Sequence, residues 1–125
     1  MMGKINSKQK GCAGERELAH ILEGHGYSSR RGHQFNGQTD EADVIGLPGI
    51  HIECKRVEHL NIYMAMDQSK RDARDGEIPV VIHRRNRDEW KVTMLLEDWL
   101  ELYGRWNNDK SGSGQDQVKD AGSDL

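Results

Sequence analysis

The sequence predicts an α/β fold in which helices flank a mixed central sheet. Short apolar segments with the alternation of strands lie between longer segments with helical spacing. Glycine, proline and asparagine separate these segments, as expected of turns and loops. The predicted order is α-β-β-β-α-β-β-α over residues 8–106, a length that suits one domain.

The N-terminal third is predicted to contain a helix followed by a polar strand. The helix covers Cys12 to Glu23, where Leu18 and Leu22 fall on one face. Tyr27 to Phe35 is predicted as an edge strand, because it is extended in character but mostly polar. Asn36 to Glu41 is predicted as a loop.

Two further strands are predicted at Asp43–Ile45 and Ile50–Arg56, joined by the turn sequence Gly-Leu-Pro-Gly. The second strand alternates strictly, so one set of side chains should enter the core while the other shares the opposite face. The core set is Ile50, Ile52 and Cys54, and the other set is His51, Glu53 and Lys55.

The C-terminal half repeats the pattern of helix, strands and helix. The second helix is predicted over Ile62–Asp75, with Asn61 as its N-cap and Gly76 just past its end. Asn107–Leu125 lacks apolar periodicity and is predicted to be a disordered tail. The remaining elements are strands at Val80–Arg84 and Glu89–Leu95 and a helix at Glu97–Trp106.

The composition predicts a compact, polar protein of the cytoplasm. The start of the chain is polar and basic, unlike a signal peptide, and no apolar run has the length of a membrane span. We therefore expect no membrane association. Cys12 and Cys54 show neither C-x-x-C spacing nor nearby histidines, which favours reduced thiols over a zinc site.

The charge of the chain is unevenly distributed. A net charge of −3 argues against a generally basic nucleic-acid coat. Local basic clusters beside acidic residues suit a protein that binds phosphates and also holds a cation, although a mixed-charge surface gives the same pattern. The candidate DNA-binding residues are Lys8, Lys10, Arg30 and Arg31.

Asp43, Glu53 and Lys55 form the constellation that can support chemistry. The short hairpin brings Asp43 beside Glu53, and two adjacent carboxylates repel unless a cation lies between them. Mg²⁺ prefers such hard oxygen ligands, and Lys55 would then assist a water or stabilise charge on a phosphate. This set suits phosphodiester hydrolysis, but an exposed strand face can carry the same residues without function.

Two other polar residues occupy notable positions. Glu15 lies along the apolar stripe of the first helix, where a carboxylate is costly unless it is paired or binds metal. It would be a further ligand or a partner of one, or else a first-turn residue that favours the helix dipole. His51 shares the face of Glu53, where it would contact phosphate or water or be a satisfied strand histidine.

The order of these residues resembles a known family. The K-G-x-x-x-E-R-E-L segment from Lys10 to Leu18, followed by Asp43 and the Glu53-Cys54-Lys55 triplet, is similar to the small Holliday junction resolvases. These belong to the restriction-endonuclease-like PD-(D/E)XK superfamily. The resemblance covers about residues 8–96 and is nearest to phage- or prophage-encoded members, which implies a bacterial or phage-infected cell.

The resemblance implies a role for each matched position. Glu15 would be the helix acid, Asp43 and Glu53 the metal-binding pair, and Lys55 the catalytic lysine, with Gln68 a looser accessory match. Mg²⁺ would be the cofactor, with Mn²⁺ able to substitute, and the protein would act as a homodimer. Glu15 is also counted as a metal ligand.

The chain departs from the family pattern in two ways: the family tends to be more basic overall, and it differs just before the first acid. Ala42 precedes Asp43 where the family often has proline, and Asp40 competes for the same role. Asp43 is preferred because Val44 and Ile45 follow it as a buried strand would.

The expected function is therefore a Mg²⁺-dependent, structure-selective DNA endonuclease that resolves four-way junctions. A nicking, flap-cutting or restriction-type nuclease is one alternative, because a fold does not fix the substrate. A non-catalytic DNA-binding subunit is the other.

Overall fold

A five-stranded mixed sheet forms the centre of the structure, a computed structural model that describes residues 7–32, 34–35, 38–39 and 42–112. The elements are α1 (Ser7–Gly24), β1 (Arg30–Arg31), β2 (Gln34–Phe35), β3 (Gln38–Thr39), β4 (Val44–Ile45), β5 (Ile50–Arg56), α2 (Ile62–Asp72), β6 (Ile78–Arg84), β7 (Lys91–Met94) and α3 (Leu96–Gly112). The sheet order is β1-β4-β5-β6-β7, in which β5 and β6 pair in parallel and the other neighbours pair antiparallel. The predicted α/β fold with a mixed central sheet is thereby confirmed.

Strand β5 is buried on both faces. On one face, Ile52 and Cys54 pack in a cluster with Leu18 and Ala19 of α1. On the other face, α2 packs against β5 and β6. The predicted alternation is confirmed, but Glu53 is only 3% exposed, because α2 covers the face that carries it.

Helix α2 begins where its sequence signal places it. The Asn61 side chain accepts a hydrogen bond from the Met64 amide at 3.2 Å, as an N-cap does. The helix ends at Asp72, three residues before the predicted end, because Ala73 takes an extended conformation. Gly76, with φ of +88°, belongs to the turn that leads into β6.

The segment between α1 and β4 differs from its prediction. The predicted edge strand Tyr27–Phe35 is wrong as one element, since it divides into β1 and β2. The predicted loop Asn36–Glu41 contains β3, which pairs with β2 in a separate antiparallel ladder. Strands of two residues are too short to show alternation, so the sequence pattern could not reveal them.

Helices α1 and α3 are both longer than predicted. Helix α1 begins at Ser7 rather than Cys12, because its first turn is polar and lies outside the apolar stripe. Helix α3 ends at Gly112 rather than Trp106, so the predicted tail begins as helix, and residues 113–125 lie outside the described structure. Within the described part of the chain, no helix combines the length and apolarity needed to cross a bilayer.

The chain divides into two compact units, Met1–Met94 and Leu95–Leu125. The first contains the sheet with α1 and α2. In the second, Trp99 stacks on Tyr103 with ring centroids 5.5 Å apart, and Lys110 lies 4.7 Å from the centre of the Trp106 ring. The second contact joins residues one helical turn apart and stabilises the extension of α3 beyond Trp106. The predicted single domain of residues 8–106 spans both units.

Candidate active site

A tight hairpin between β4 and β5 places Asp43 beside β5. The Asp43 amide donates to the Ile52 carbonyl at 3.1 Å, and Val44 pairs with Ile52 in the ladder. The turn depends on Gly46, whose φ is +141° and where an added Cβ atom would lie 2.8 Å from Ser29 Cα, so there is no room for a side chain. The predicted Gly-Leu-Pro-Gly turn is therefore confirmed.

Asp43, which is half-buried, and Glu53, which is buried, form a carboxyl pair. Asp43 Oδ2 accepts a hydrogen bond from the Cys54 amide at 2.9 Å, and the charge of Asp43 acts on Glu53. Burial raises the pKa of both acids, and burial followed by the charge of Asp43 brings the pKa of Glu53 to about 8. Two acids in this arrangement retain a proton near neutral pH unless a cation replaces it.

Lys55 lies beside this pair on the same strand. Its Nζ atom is 3.6 Å from Glu53 Oε2, and its side chain keeps 32% of its exposure while that of Glu53 keeps 4%. The ammonium charge opposes the rise in the pKa of Glu53. The Lys55 side chain therefore reaches from Glu53 toward the solvent, from which a substrate would approach.

Glu15 is brought close to the acid pair from α1. The charges of Asp43 and Lys55 both act on Glu15, whose pKa is raised mainly by burial. Its Oε1 atom accepts a hydrogen bond from Arg31 Nε at 3.0 Å, and Arg31 Nη2 also lies 3.0 Å from Cys12 Sγ. Arg31, predicted to bind DNA, therefore holds Glu15 in place beside the site.

The remaining predicted site residues are less closely tied to the acid pair. Lys8 and Lys10 lie in the first turns of α1. Arg30 donates to the Arg31 carbonyl at 2.9 Å, and Gln68 is half-buried on α2. Asp40, the rival of Asp43, lies outside the described residues.

A further basic cluster in the sequence lies on and after β6, and acids neutralise part of it. Arg84 binds both carboxylate oxygens of Glu17 at 2.8 and 3.0 Å. Arg85 and Lys91 both contact Asp88, at 3.4 and 3.1 Å. These pairs reduce the positive potential that the cluster would otherwise present to DNA.

Sequence reasoning missed Asp72 and misjudged His51. A ring nitrogen of His51 and carboxylate oxygens of Glu53 and Asp72 lie within 4.8 Å of one another. The satisfied-histidine interpretation is wrong for Nε2, which is buried and has no hydrogen-bond partner among the described residues. The signal that could have revealed Asp72 is the helical crossover between β5 and the parallel strand β6. A helix that runs back from the end of β5 brings its last turn over the start of that strand.

The donor set fits a divalent metal ion such as Mg²⁺. Asp43 and Glu53 supply hard carboxylate oxygens, and a cation between them would relieve the charge repulsion that raises the pKa of Glu53. The two carboxylates are therefore the residues that would hold the ion.

Comparison with known proteins identifies the family of this chain. The archaeal Holliday junction resolvase (Hjc) family model matches residues 6–98. Among solved structures, the Hjc Holliday junction resolvase of the archaeal hyperthermophile Archaeoglobus fulgidus is 21% identical over 68% of this chain and 72% of its own, with a TM-score of 0.48. No curated protein sequence matches. Because the family match spans well over half of its length, this chain belongs to the archaeal Holliday junction resolvase (Hjc) family.

Proposed function

We propose that this protein is a Mg²⁺-dependent, structure-selective DNA endonuclease that resolves four-way junctions. The observation that carries the proposal is the carboxyl pair of half-buried Asp43 and buried Glu53, with Lys55 Nζ 3.6 Å from Glu53. Family membership supports junction DNA as the substrate. The complete set of two acids and a lysine argues against the alternative of a non-catalytic DNA-binding subunit.

The side chains divide the work of phosphodiester hydrolysis. Asp43 and Glu53 would hold the ion, which when bound supplies Lewis acidity toward phosphate oxygens. Lys55, anchored beside Glu53, donates hydrogen bonds to the attacking water or to a phosphate oxygen as negative charge grows there. Water adds to phosphorus, one phosphorus–oxygen ester bond breaks, and the departing alkoxide takes up a proton.

Glu15 and Arg31 act together next to this centre. Their ion pair is partly buried, with side-chain exposures of 16% and 37%. We assign Glu15 to the ligand environment of the ion, and Arg31 to holding Glu15 while its exposed part faces the phosphate backbone. Lys8, Lys10 and Arg30 are proposed to contact the arms of the junction through charge.

Resolution of a four-way junction needs two cuts in opposing strands. One chain offers one Asp43–Glu53 pair among its described residues, so we propose a homodimer with two sites. Its place of action would be the cytoplasm, where recombining DNA of a bacterial, archaeal or phage genome is found.

A cleavage panel in Mg²⁺ tests the proposal. The substrates are four-way junction, flap, nicked and linear duplex DNA of matched sequence, and Mn²⁺ is tested in parallel. We expect the junction to be cut fastest. Equal cutting of linear duplex favours a nicking, flap-cutting or restriction-type nuclease, whereas tight binding without any cutting in either metal supports the non-catalytic subunit.

A further inference from the structure

Three residues that could ligate a metal converge near Glu53. His51 and Glu53 are buried on β5, and Asp72 is exposed at the last residue of α2. One ligand atom from each lies within 4.8 Å of the other two. Imidazole nitrogen and two carboxylate oxygens together form a donor set suited to a first-row transition metal rather than to Mg²⁺ alone.

His51 is buried beside a carboxylate. Its side chain is 6% exposed, and Nδ1 lies 3.6 Å from Glu77 Oε1. Its other nitrogen, Nε2, is buried without a hydrogen-bond partner in the described structure. Metal-binding histidines commonly face a carboxylate with one nitrogen and the ion with the other, and Glu77 supplies such a carboxylate beside Nδ1 of His51.

The backbone around the cluster is held firmly. Ser69, which is fully buried one helical turn before the end of α2, donates to the Val80 carbonyl at 3.0 Å and lies 3.5 Å from the His51 carbonyl. These contacts fix the last turn of α2 against β5 and β6. The position of Asp72 over His51 therefore follows from the register of the crossover.

An ion can reach this cluster from solvent. His51, Asp72 and Glu77 line a cavity of about 500 Å³ that is open to the surface. Its other walls include Pro48 of the hairpin turn and Tyr27 after α1. A buried ligand beside an open cavity meets the requirement of an entry path for metal.

We propose that His51, Glu53 and Asp72 form a second divalent-cation site that prefers Zn²⁺ or Mn²⁺ to Mg²⁺. Glu77 orients His51 through Nδ1. The site shares Glu53 with the proposed nuclease centre and rests on that function in no other way, since it concerns binding. Glu53 would then stand between two cations, one toward Asp43 and one toward His51.

Zn²⁺ titration calorimetry in excess Mg²⁺ tests the site, because the excess Mg²⁺ competes for any site made of carboxylate oxygens alone. We expect Asp72→Asn and His51→Leu to lose the tight Zn²⁺ site, and Glu77→Gln to weaken it by about 10- to 100-fold. Asp67→Asn is the matched control, because Asp67 is also exposed on α2 but outside the cluster. Substitution of the buried His51 risks loss of the fold. Asp72 is exposed, so Asp72→Asn keeps the test independent of folding.

A spectroscopic readout separates this site from the nuclease activity. In protein labelled with ¹⁵N-histidine, Zn²⁺ should shift the His51 resonances of the wild type and of Lys55→Ala, and not those of Asp72→Asn. If Zn²⁺ shifts the His51 resonances but the protein cuts no DNA, the cation site is supported and the proposed nuclease function is refuted. Equal Zn²⁺ affinity in the wild type, Asp72→Asn and Asp67→Asn overturns the proposal, as do unshifted His51 signals at saturating Zn²⁺.

Discussion

Glu53 is expected to release a proton when Mg²⁺ binds beside it, so the affinity for the metal should depend on pH. Burial and the charge of Asp43 bring the pKa of Glu53 to about 8 in the metal-free protein. With this pKa, about nine in ten molecules carry the proton at pH 7, and about one in ten at pH 9. A carboxyl group must be deprotonated to bind the ion, so binding competes with the proton.

The size of the pH effect on Mg²⁺ affinity follows directly from this competition between metal and proton. The apparent dissociation constant for Mg²⁺ should fall about tenfold between pH 7 and pH 9 and change little at higher pH. Calorimetry in two buffers of different ionisation enthalpy measures the affinity and the protons released together. We expect about 0.9 proton per ion at pH 7 and about 0.1 at pH 9.

Lys55→Met and Lys91→Met form a matched pair for this experiment. The Lys55 ammonium, 3.6 Å from Glu53, lowers the pKa of that acid, so its removal should move proton release to higher pH. Lys91 contacts Asp88 at 3.1 Å instead, and its removal should leave the profile unchanged. A Mg²⁺ affinity that is constant from pH 6 to 9, with no proton released, would refute the reasoning.

Three further predictions concern stability and charge. Because the folded-state pKa of Glu53 lies above its usual 4.5, the metal-free protein should lose stability to urea as pH rises from 5 to 8, and a flat profile would contradict this. Gly14→Ala should be about 1–3 kcal/mol less stable than Gly11→Ala in the same assay, since only the former places a Cβ atom 2.9 Å from Arg56 Cβ. Equal stabilities of the two variants would show that α1 does not pack tightly against β5. Arg31→Gln should raise the pKa of Glu15, measured by carboxyl ¹³C NMR, because it removes the ion pair that opposes burial, and an unchanged pKa would argue against that pair.

Much of the candidate site could be predicted from local sequence signals. Glu53 and Lys55 follow from the alternation of β5, which places both side chains on one face. Asp43 follows from the turn chemistry of the hairpin and from the buried strand after it. Asn61 was identifiable as a helix cap because its hydrogen bond is local.

The rest depends on contacts that sequence spacing does not encode. The Arg31–Glu15 pair joins a helix to an edge strand across sixteen residues, so its partners are fixed only by packing. Asp72 reaches His51 through the crossover of α2, and the burial of Glu53 depends on the same helix. Strands β2 and β3 are set by their mutual pairing rather than by any apolar pattern.

Single-turnover cleavage of a four-way junction by Asp43→Asn, Glu53→Gln and Lys55→Ala tests the central claim most directly. DNA binding is measured in parallel by electrophoretic mobility shift, with Lys91→Ala as the control for loss of a lysine away from the acid pair. We predict that the three site variants lose cleavage and retain junction binding, while Lys91→Ala continues to cut. Cleavage at the wild-type rate by all three site variants would contradict the account.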